Sequence, residues 1–215
     1  ELYDYNTSVT LTASASAGST FAGWSGACTG TGTCMVTMDA AKLVIATFNL
    51  PYTLTVSKTG TGSGNVTSLP VGIDCGTDCS EAYYNNAVIT LTAVPDTGSA
   101  FAGWSGDCTG TGTCVVTMNA AKSVTATFTL NTYDLTVINT GTGSGAVTSS
   151  PAGIICGADC TEPYDYNTVV TLSAAPDTGS TFEGWSGDCN GTGTCVVTMN
   201  AAKSVTAKFT LNTYD

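Results

Sequence analysis

Ten cysteines are the residues of this sequence best suited to chemistry, and they occur in two spacings. In the wider spacing five residues separate the two cysteines, and in the narrower spacing three residues do. Such pairs can form disulfides, bind zinc or exchange thiols. The wide pairs are Cys28/Cys34, Cys108/Cys114 and Cys189/Cys195, and the narrow pairs are Cys75/Cys79 and Cys156/Cys160.

The chain around these cysteines is a tandem array. Phe-x-Gly-Trp-Ser-Gly occurs three times, and two complete units of 81 residues, 52–132 and 133–213, agree at 61 positions without a gap. Residues 1–51 match only the later part of a unit, and residues 214–215 repeat the start of one. We expect either a stretch of a longer repeat protein or a partial first unit that another chain completes by donating strands.

Structural disulfides are the interpretation we favour for the cysteines. Residues 1–51 contain only Cys28 and Cys34, so pairing within each unit joins these two, and repetition extends the pattern to the other pairs. Three intervening residues reach disulfide distance only in a tight turn, which leaves the narrow pairing open. Zinc sites usually combine closer pairs, and redox catalysis usually uses Cys-x-x-Cys, which is absent. Disulfides predict an oxidising, extracellular or cell-surface location.

Composition excludes several other classes of function. The 215 residues contain no histidine and carry a net charge of -11, with only five basic residues. The usual general base and nitrogen ligand for zinc are therefore missing, and the acidic surface suits neither nucleic acid nor anionic membranes. No apolar run approaches the roughly 20 residues of a membrane span. We expect no enzymatic activity, no cofactor, no metal site and no direct membrane insertion.

Alternating apolar and polar residues predict β-strands in every unit. In the last unit Leu135 and Val137 alternate with polar neighbours, as do residues 170–174, 195–199 and 205–211. We expect five or six strands per unit, a hairpin at the glycine-rich residues 140–145, and a turn at 176–179 with proline at its second position. Only residues 201–203 are compatible with helix, for a single turn. The fold class is therefore all-β, with little or no helix.

Aromatic residues recur at fixed places in the units and predict the core. The largest burial gain belongs to the tryptophans, although a tryptophan can also stack on sugars. Exposed tyrosine pairs could form an adhesin surface for carbohydrate, or they could cover the joint between units, which we favour. The core candidates are Trp24, Trp104, Trp185, Phe21, Phe101 and Phe182, and the binding or joint candidates are Tyr83, Tyr84, Tyr164 and Tyr166.

Loop carboxylates are the remaining candidates for chemistry. Asp107 and Asp188 precede a cysteine, and the first unit has Ala27 at that place. No EF-hand or other calcium-binding spacing is present. We therefore interpret these carboxylates as solvated turn residues.

One motif makes the sequence resemble a known family. Gly-Trp-Ser-Gly-x-Cys-x-Gly-Thr-Gly-x-Cys-x-Val-Thr-Met-x-Ala-Ala-Lys spans much of residues 103–128 and 184–209, and 23–48 carries it with departures at Ala27, Met35 and Ile45. It resembles the bacterial repeat domain described as a divergent form of the internalin B-repeat. The resemblance implies small β-grasp-like or sandwich domains in large secreted or surface-attached bacterial proteins, and it supplies no catalytic residues.

The sequence thus predicts a structural section of an exported bacterial protein. Near-identical units suit spacing, stiffness and repeated contact better than a single specialised pocket. We expect a disulfide-stapled array that forms an extracellular fibre or a cell-surface stalk, with an adhesin-type binding module as the alternative. Its expected partners are neighbouring units and other copies of the chain.

Overall fold

The computed structural model describes residues 1–214, and Asp215, part of the predicted start of a further unit, lies outside them. Strands make up 59% of the chain, and residues 1–214 contain no helix, which confirms the all-β prediction. In particular, no helix of this part of the chain is long and apolar enough to cross a membrane. Residues 200–201 form a bend, and a strand begins at Lys203 in place of the helical turn that the sequence allowed.

The partial first repeat forms two antiparallel strand pairs. Strand β1 pairs with β3, and β2 pairs with β4. The strands are β1 (Ser8–Leu11), β2 (Thr20–Gly26), β3 (Cys34–Thr37) and β4 (Val44–Asn49).

The second repeat has seven strands in two sheets. The sheet orders are β7-β5-β11-β9 and β10-β8-β6. The strands are β5 (Pro51–Thr59), β6 (Gly64–Leu69), β7 (Ser80–Tyr84), β8 (Val88–Pro95), β9 (Ser99–Gly106), β10 (Cys114–Thr117) and β11 (Lys122–Leu130).

The third repeat has eight strands, more than the five or six expected from the sequence. Its sheets have the orders β15-β12-β19-β17 and β14-β13-β16-β18. The first and last strands, β12 and β19, are parallel neighbours, whereas the other recorded pairs are antiparallel. The strands are β12 (Thr132–Thr140), β13 (Gly145–Ser150), β14 (Ile155–Cys156), β15 (Thr161–Asp165), β16 (Val169–Pro176), β17 (Ser180–Gly187), β18 (Cys195–Thr198) and β19 (Lys203–Leu211).

Two compact units describe the packing of the chain. Unit 1 comprises Glu1–Lys58, Asn65–Val94 and Gly103–Ala126, and it contains the first repeat and most of the second. Unit 2 comprises Thr59–Gly64, Pro95–Ala102 and Thr127–Asp215, and it contains the third repeat with three short segments of the second.

Both sheets of the third repeat contribute to one hydrophobic core, so the repeat is a small sandwich. Leu135 and Val137 of β12 and Ala207 and Phe209 of β19 face Leu172 of the other sheet's β16, and all are 2% exposed or less. Alternate residues of these strands point outward, and Lys208 lies exposed between the last two, as strand alternation requires. The buried side chains that alternate along these strands pack together and hold the two sheets against each other.

Residues 140–145 do not form the hairpin that their glycines suggested. They connect β12 of one sheet to β13 of the other, so the chain crosses the sandwich there. A Cβ at Gly141 would lie 1.9 Å from the carbonyl oxygen of Phe209, and the residue has a φ of +100°. The glycine is therefore required by close approach to β19 and not by strand reversal.

The turn near Pro176 is also shifted from the predicted one. The N–H of Ser180 donates to the carbonyl of Asp177 at 2.9 Å, so the turn comprises residues 177–180. Pro176 ends β16 and lies just before the turn, and Gly179, with a φ of +81°, occupies its third position.

Candidate functional site: stapled sheet edges and a tyrosine joint

The wide disulfides connect the two sheets at one edge of each sandwich. In the third repeat Cys195 lies in edge strand β18, and Cys189 follows edge strand β17 of the other sheet. Their Cα atoms are 5.8 Å apart. Cys28–Cys34 and Cys108–Cys114 have the same form, with Cα–Cα distances of 5.9 and 5.7 Å.

Tryptophan holds this disulfide loop against its strand. The backbone N–H of Trp185 donates to the carbonyl of Gly191 at 2.7 Å, and the indole Nε1–H donates to the carbonyl of Gly193 at 2.6 Å. The ring of Phe182 meets the indole edge to face at 4.9 Å. The tryptophan thus buries its ring and satisfies two carbonyls of the glycine-rich loop.

The narrow disulfides connect the two sheets at the opposite edge. Cys156 lies in β14, and Cys160 directly precedes β15 of the other sheet. Their Cα atoms are 4.3 Å apart, and the carbonyl of Cys160 accepts a hydrogen bond from Val137 of β12 at 2.8 Å. Cys75–Cys79 has the same Cα–Cα distance of 4.3 Å.

Disulfides therefore close both edges of each complete sandwich. All five bridges join the partners that elimination in the first 51 residues gives, including the narrow pairs that the sequence left open. Residues 1–214 contain no free cysteine and no group of three His, Cys, Asp or Glu side chains that could hold a metal ion. The cysteines thus lie where they tie sheets together.

The four candidate tyrosines have different roles and do not form one surface. Tyr164 is buried, and its hydroxyl lies 2.8 Å from Ser149 Oγ, which also accepts the N–H of Ile154 at 2.9 Å. Tyr83 is buried in the same way beside Ser68. Tyr84, in contrast, is 54% exposed. The adhesin alternative therefore gains no shared aromatic platform from this set.

Tyr166 lies at the joint between the second and third repeats. Its ring covers Gly98, where a Cβ would lie 1.9 Å from the ring Cδ1 atom. Between them passes Asn131, whose N–H donates to the carbonyl of Gly98 at 2.9 Å and whose carbonyl accepts the N–H of Tyr166 at 2.8 Å. Tyr133 meets the other side of the joint, with its ring centroid 6.4 Å from that of Tyr166. We call this arrangement the tyrosine joint.

The predicted aromatic core residues lie at two depths. Trp104 and Trp185 are each 5% exposed, while Trp24 of the partial repeat is only half-buried. Phe21, Phe101 and Phe182 are half-buried as well, at the edge of the core, with Phe182 packed against the third-repeat cluster.

Nearly the whole chain matches one protein-family model, described as the divergent InlB B-repeat domain. The matched residues are 1–50, 52–132 and 133–213. The chain belongs to this family. Its three tandem B-repeats confirm the resemblance drawn from the Gly-Trp-Ser-Gly motif.

Solved structures share a distant likeness with these B-repeats. The Bacillus anthracis TIE protein is 5% identical with a TM-score of 0.46, over 84% of this chain and 39% of its own length, so the chain spans about two fifths of it. The minor pilin GBS52 of Streptococcus agalactiae is 8% identical with a TM-score of 0.26, over 76% and 98% of the two chains. The major pilin T-13 of Streptococcus pyogenes is 8% identical with a TM-score of 0.33, over 75% and 97%. No curated protein matches the chain.

Aspartate fixes the start of the last strand in each complete B-repeat, a role that the sequence interpretation missed. Asp188 Oδ2 accepts the N–H of Ser204 at 2.7 Å, and its Oδ1 lies 3.3 Å from Lys203 Nζ. The hydrogen bond from Ser204, with a contribution from Lys203, holds the pKa of Asp188 below its ordinary value of 3.8.

The same arrangement recurs in the second B-repeat. Asp107 Oδ2 accepts the N–H of Ser123 at 2.7 Å, and Lys122 Nζ lies 3.1 Å from Asp107 Oδ1. The recurrence of an aspartate 16 residues before a serine at a strand start was the available sequence signal.

Proposed function

We propose that the B-repeats form a tension-bearing section of an exported bacterial surface protein, as a stalk or an extracellular fibre, without catalytic activity. The parallel pairing of the first and last strands of the third repeat carries this proposal. Six residue pairs join β12 to β19, from Leu135 with Lys203 to Thr140 with Lys208. A chain held at both ends applies its load to these two strands.

Parallel terminal strands resist such a load in shear. The N-terminal end of β12 and the C-terminal end of β19 lie at opposite ends of the pair, so tension pulls the strands past each other along their length. All the hydrogen bonds between them are then loaded together and not one after another. The two strands are also central in their sheet, between β15 and β17. A high barrier to forced unfolding is the property that a stalk or fibre requires.

The disulfides add resistance that pairing alone cannot supply. Each complete repeat has one bridge at either edge, so the sheets stay connected after the hydrogen bonds between strands have broken. Stable disulfides require an oxidising compartment, in agreement with the secreted or surface-attached proteins that the family resemblance implies. Neighbouring repeats and other copies of the chain are the partners we propose, with neither nucleic acid nor membrane insertion.

A proline in β12 tests the shear arrangement. The N–H of Val137 bonds to Cys160 on the β15 side, so strand alternation directs the N–H of Ile138 toward β19. Ile138 points outward, and Ile138→Pro therefore removes a donor from the loaded pair without opening the core. Ile138→Ala is the matched control, because it shortens the same side chain and retains the N–H.

Single-molecule force spectroscopy of the full oxidised chain, held at its ends, measures the result. We expect the wild type and Ile138→Ala to unfold their complete repeats at similar forces. In Ile138→Pro the event of the third repeat should move to lower force, while that of the second repeat stays unchanged. Equal forces in Ile138→Pro and Ile138→Ala would contradict the proposal.

A further inference from the structure

The sheet edges of the third repeat are protected in several ways. A free edge presents backbone N–H and C=O groups that can pair with the edge of another sheet. Edge strands β14 and β18 are short, with two and four residues. Along edge strand β17 the N–H of Trp185 already bonds to the carbonyl of Gly191 in the disulfide loop. The fourth edge strand, β15, and its counterpart β7 in the second repeat have five residues each, and side chains protect them.

Strand alternation sets which backbone groups of β7 point away from the sheet. The N–H of Val56 in β5 donates to the carbonyl of Cys79 at 2.8 Å, so these two residues form a hydrogen-bonded pair. With the observed register, the next such pair on β7 contains Glu81. The N–H groups of Ser80 and Ala82 therefore point outward, where a further strand would pair.

Carboxylates of the same repeat accept both outward N–H groups of β7. The N–H of Ser80 donates to Asp78 Oδ1 at 3.1 Å, and the N–H of Ala82 donates to Glu81 Oε1 at 3.1 Å. An incoming strand would have to displace both carboxylates and would meet their negative charge. The second repeat thus caps this edge with its own side chains.

The third repeat protects the same edge with a different residue. The N–H of Val137 donates to the carbonyl of Cys160 at 2.8 Å, so residues 161 and 163 of β15 point outward. The N–H of Thr161 donates to Asp159 Oδ1 at 3.2 Å, as in the second repeat. Pro163 takes the place of Ala82, and proline has no N–H to offer a further strand.

Glu81 and Glu162 occupy equivalent positions and separate capping from packing. Each side chain lies over a glycine of its own repeat. A Cβ at Gly72 or Gly153 would lie 2.5 Å from Cγ of the respective glutamate. Both glutamates therefore pack in the same way, but only Glu81 is followed by a residue with an N–H that it can cap.

We propose that Glu81 in the second repeat and Pro163 in the third block strand addition, so that β7 and β15 do not pair with the edges of other copies of the chain. Copies of one repeat have identical edges, which can pair residue for residue. A surface array brings many such edges close together, and edge pairing would join its sheets. This inference goes beyond the proposed resistance to tension, because it concerns contacts between molecules.

Three variants test the carboxylate cap in the second repeat. Glu81→Ala releases the N–H of Ala82. Glu162→Ala is the matched control, because it removes the same charge and the same packing over glycine but releases no N–H. Glu81→Ala combined with Ala82→Pro installs the proline of the third repeat and should block the edge again.

Two variants test the proline in the third repeat independently. Pro163→Ala alone restores an outward N–H beside Glu162, which should cap it as Glu81 caps Ala82. Pro163→Ala combined with Glu162→Ala leaves that N–H uncapped. We therefore expect the single variant to behave as wild type and the double variant to behave as Glu81→Ala.

Sedimentation velocity of the full oxidised chain, at concentrations up to about 1 mM, measures the association. Glu81→Ala and the Pro163→Ala/Glu162→Ala double variant should each associate roughly tenfold more strongly than wild type, since two paired edges gain one released N–H each. Glu162→Ala, Pro163→Ala and Glu81→Ala/Ala82→Pro should match wild type. Amide exchange locates the contact, because exchange at Ala82 in Glu81→Ala should slow as the protein concentration rises.

Three results would overturn the blocked edge. These are association of Glu81→Ala no stronger than that of Glu162→Ala, association that the added Ala82→Pro does not suppress, and exchange at Ala82 that is independent of concentration in Glu81→Ala. The force at which a single molecule unfolds enters none of them, so this inference and the proposed function can fail separately.

Discussion

Gly98→Ala should destabilise the tyrosine joint more than Gly179→Ala destabilises the matching turn of the third repeat, on which no aromatic ring packs. Gly98 and Gly179 have φ values of +79° and +81°, so alanine at either position costs about 1–2 kcal/mol in a left-handed conformation. Only at Gly98 would the new methyl group overlap a side chain, 1.9 Å from Cδ1 of Tyr166. The ring must therefore leave, and its contact is lost in addition.

The difference between the two variants isolates the contribution of Tyr166. A lost side-chain contact of this kind typically destabilises by about 1–2 kcal/mol, which accelerates local opening by roughly 5–30-fold. Amide hydrogen exchange of the full chain measures it residue by residue. In Gly98→Ala the exchange rates of the Asn131 and Tyr166 amides should rise both from the backbone strain of alanine and from the lost ring contact, and the two factors multiply. In Gly179→Ala the exchange rate of the Asn212 amide, which donates to the carbonyl of Gly179 at 2.9 Å, should rise only by the factor that comes from backbone strain.

Equal effects of the two alanines on their own turns would refute this reasoning, because the ring would then contribute nothing. Tyr166→Asn, which copies the residue of the second repeat, provides the check. It should accelerate exchange at Asn131 by the contact factor alone, and Asn212 should stay unchanged in the same sample.

Three further predictions concern the staples and the buried polar contacts. Reduction should lengthen each complete repeat under force by about 25 Å, because ten backbone steps of about 3.5 Å replace bridges of 5.8 and 4.3 Å; an unchanged contour length on pulling would exclude the bridges. Tyr164→Phe should cost about 1–2 kcal/mol in urea unfolding by removing the hydroxyl contact with Ser149, and a neutral effect would contradict that contact. Asp188→Asn should cost about 1 kcal/mol near neutral pH. Since the pKa of Asp188 is lowered, its contribution to the free energy of unfolding is present above pH 3.8 and is lost as pH falls through the lowered pKa. A stability difference between wild type and Asp188→Asn that did not change with pH would contradict this electrostatic origin.

The sequence was most informative where one repeat could be compared with another. The partial first repeat contains one cysteine pair, which reduces the pairing alternatives to one. Period-two alternation gave the strand character of residues such as Leu135 and Val137, because burial on one face imposes that period on every strand.

Long-range pairing was beyond the sequence. The parallel match of β12 with β19 joins residues about 68 positions apart, such as Leu135 and Lys203, and no local pattern encodes it. The glycines at 140–145 predicted a hairpin because local sequence rules describe only turns. In the structure glycine is required at 141 because the carbonyl of Phe209, distant in sequence, leaves no room for a Cβ. Tyr164 and Tyr166 look alike in sequence, yet one faces the core of its own repeat and the other faces a neighbouring repeat.

The direction of loading tests the central claim most directly. Ser180 and Leu211 face each other at one end of the antiparallel β17–β19 pair, so handles at these residues would peel the strands apart one pair at a time. Handles at the chain ends load β12 and β19 in shear. If the repeats bear tension through that parallel pair, the oxidised third repeat should unfold at a several-fold higher force when held at the chain ends. Equal unfolding forces in the two directions would contradict the account.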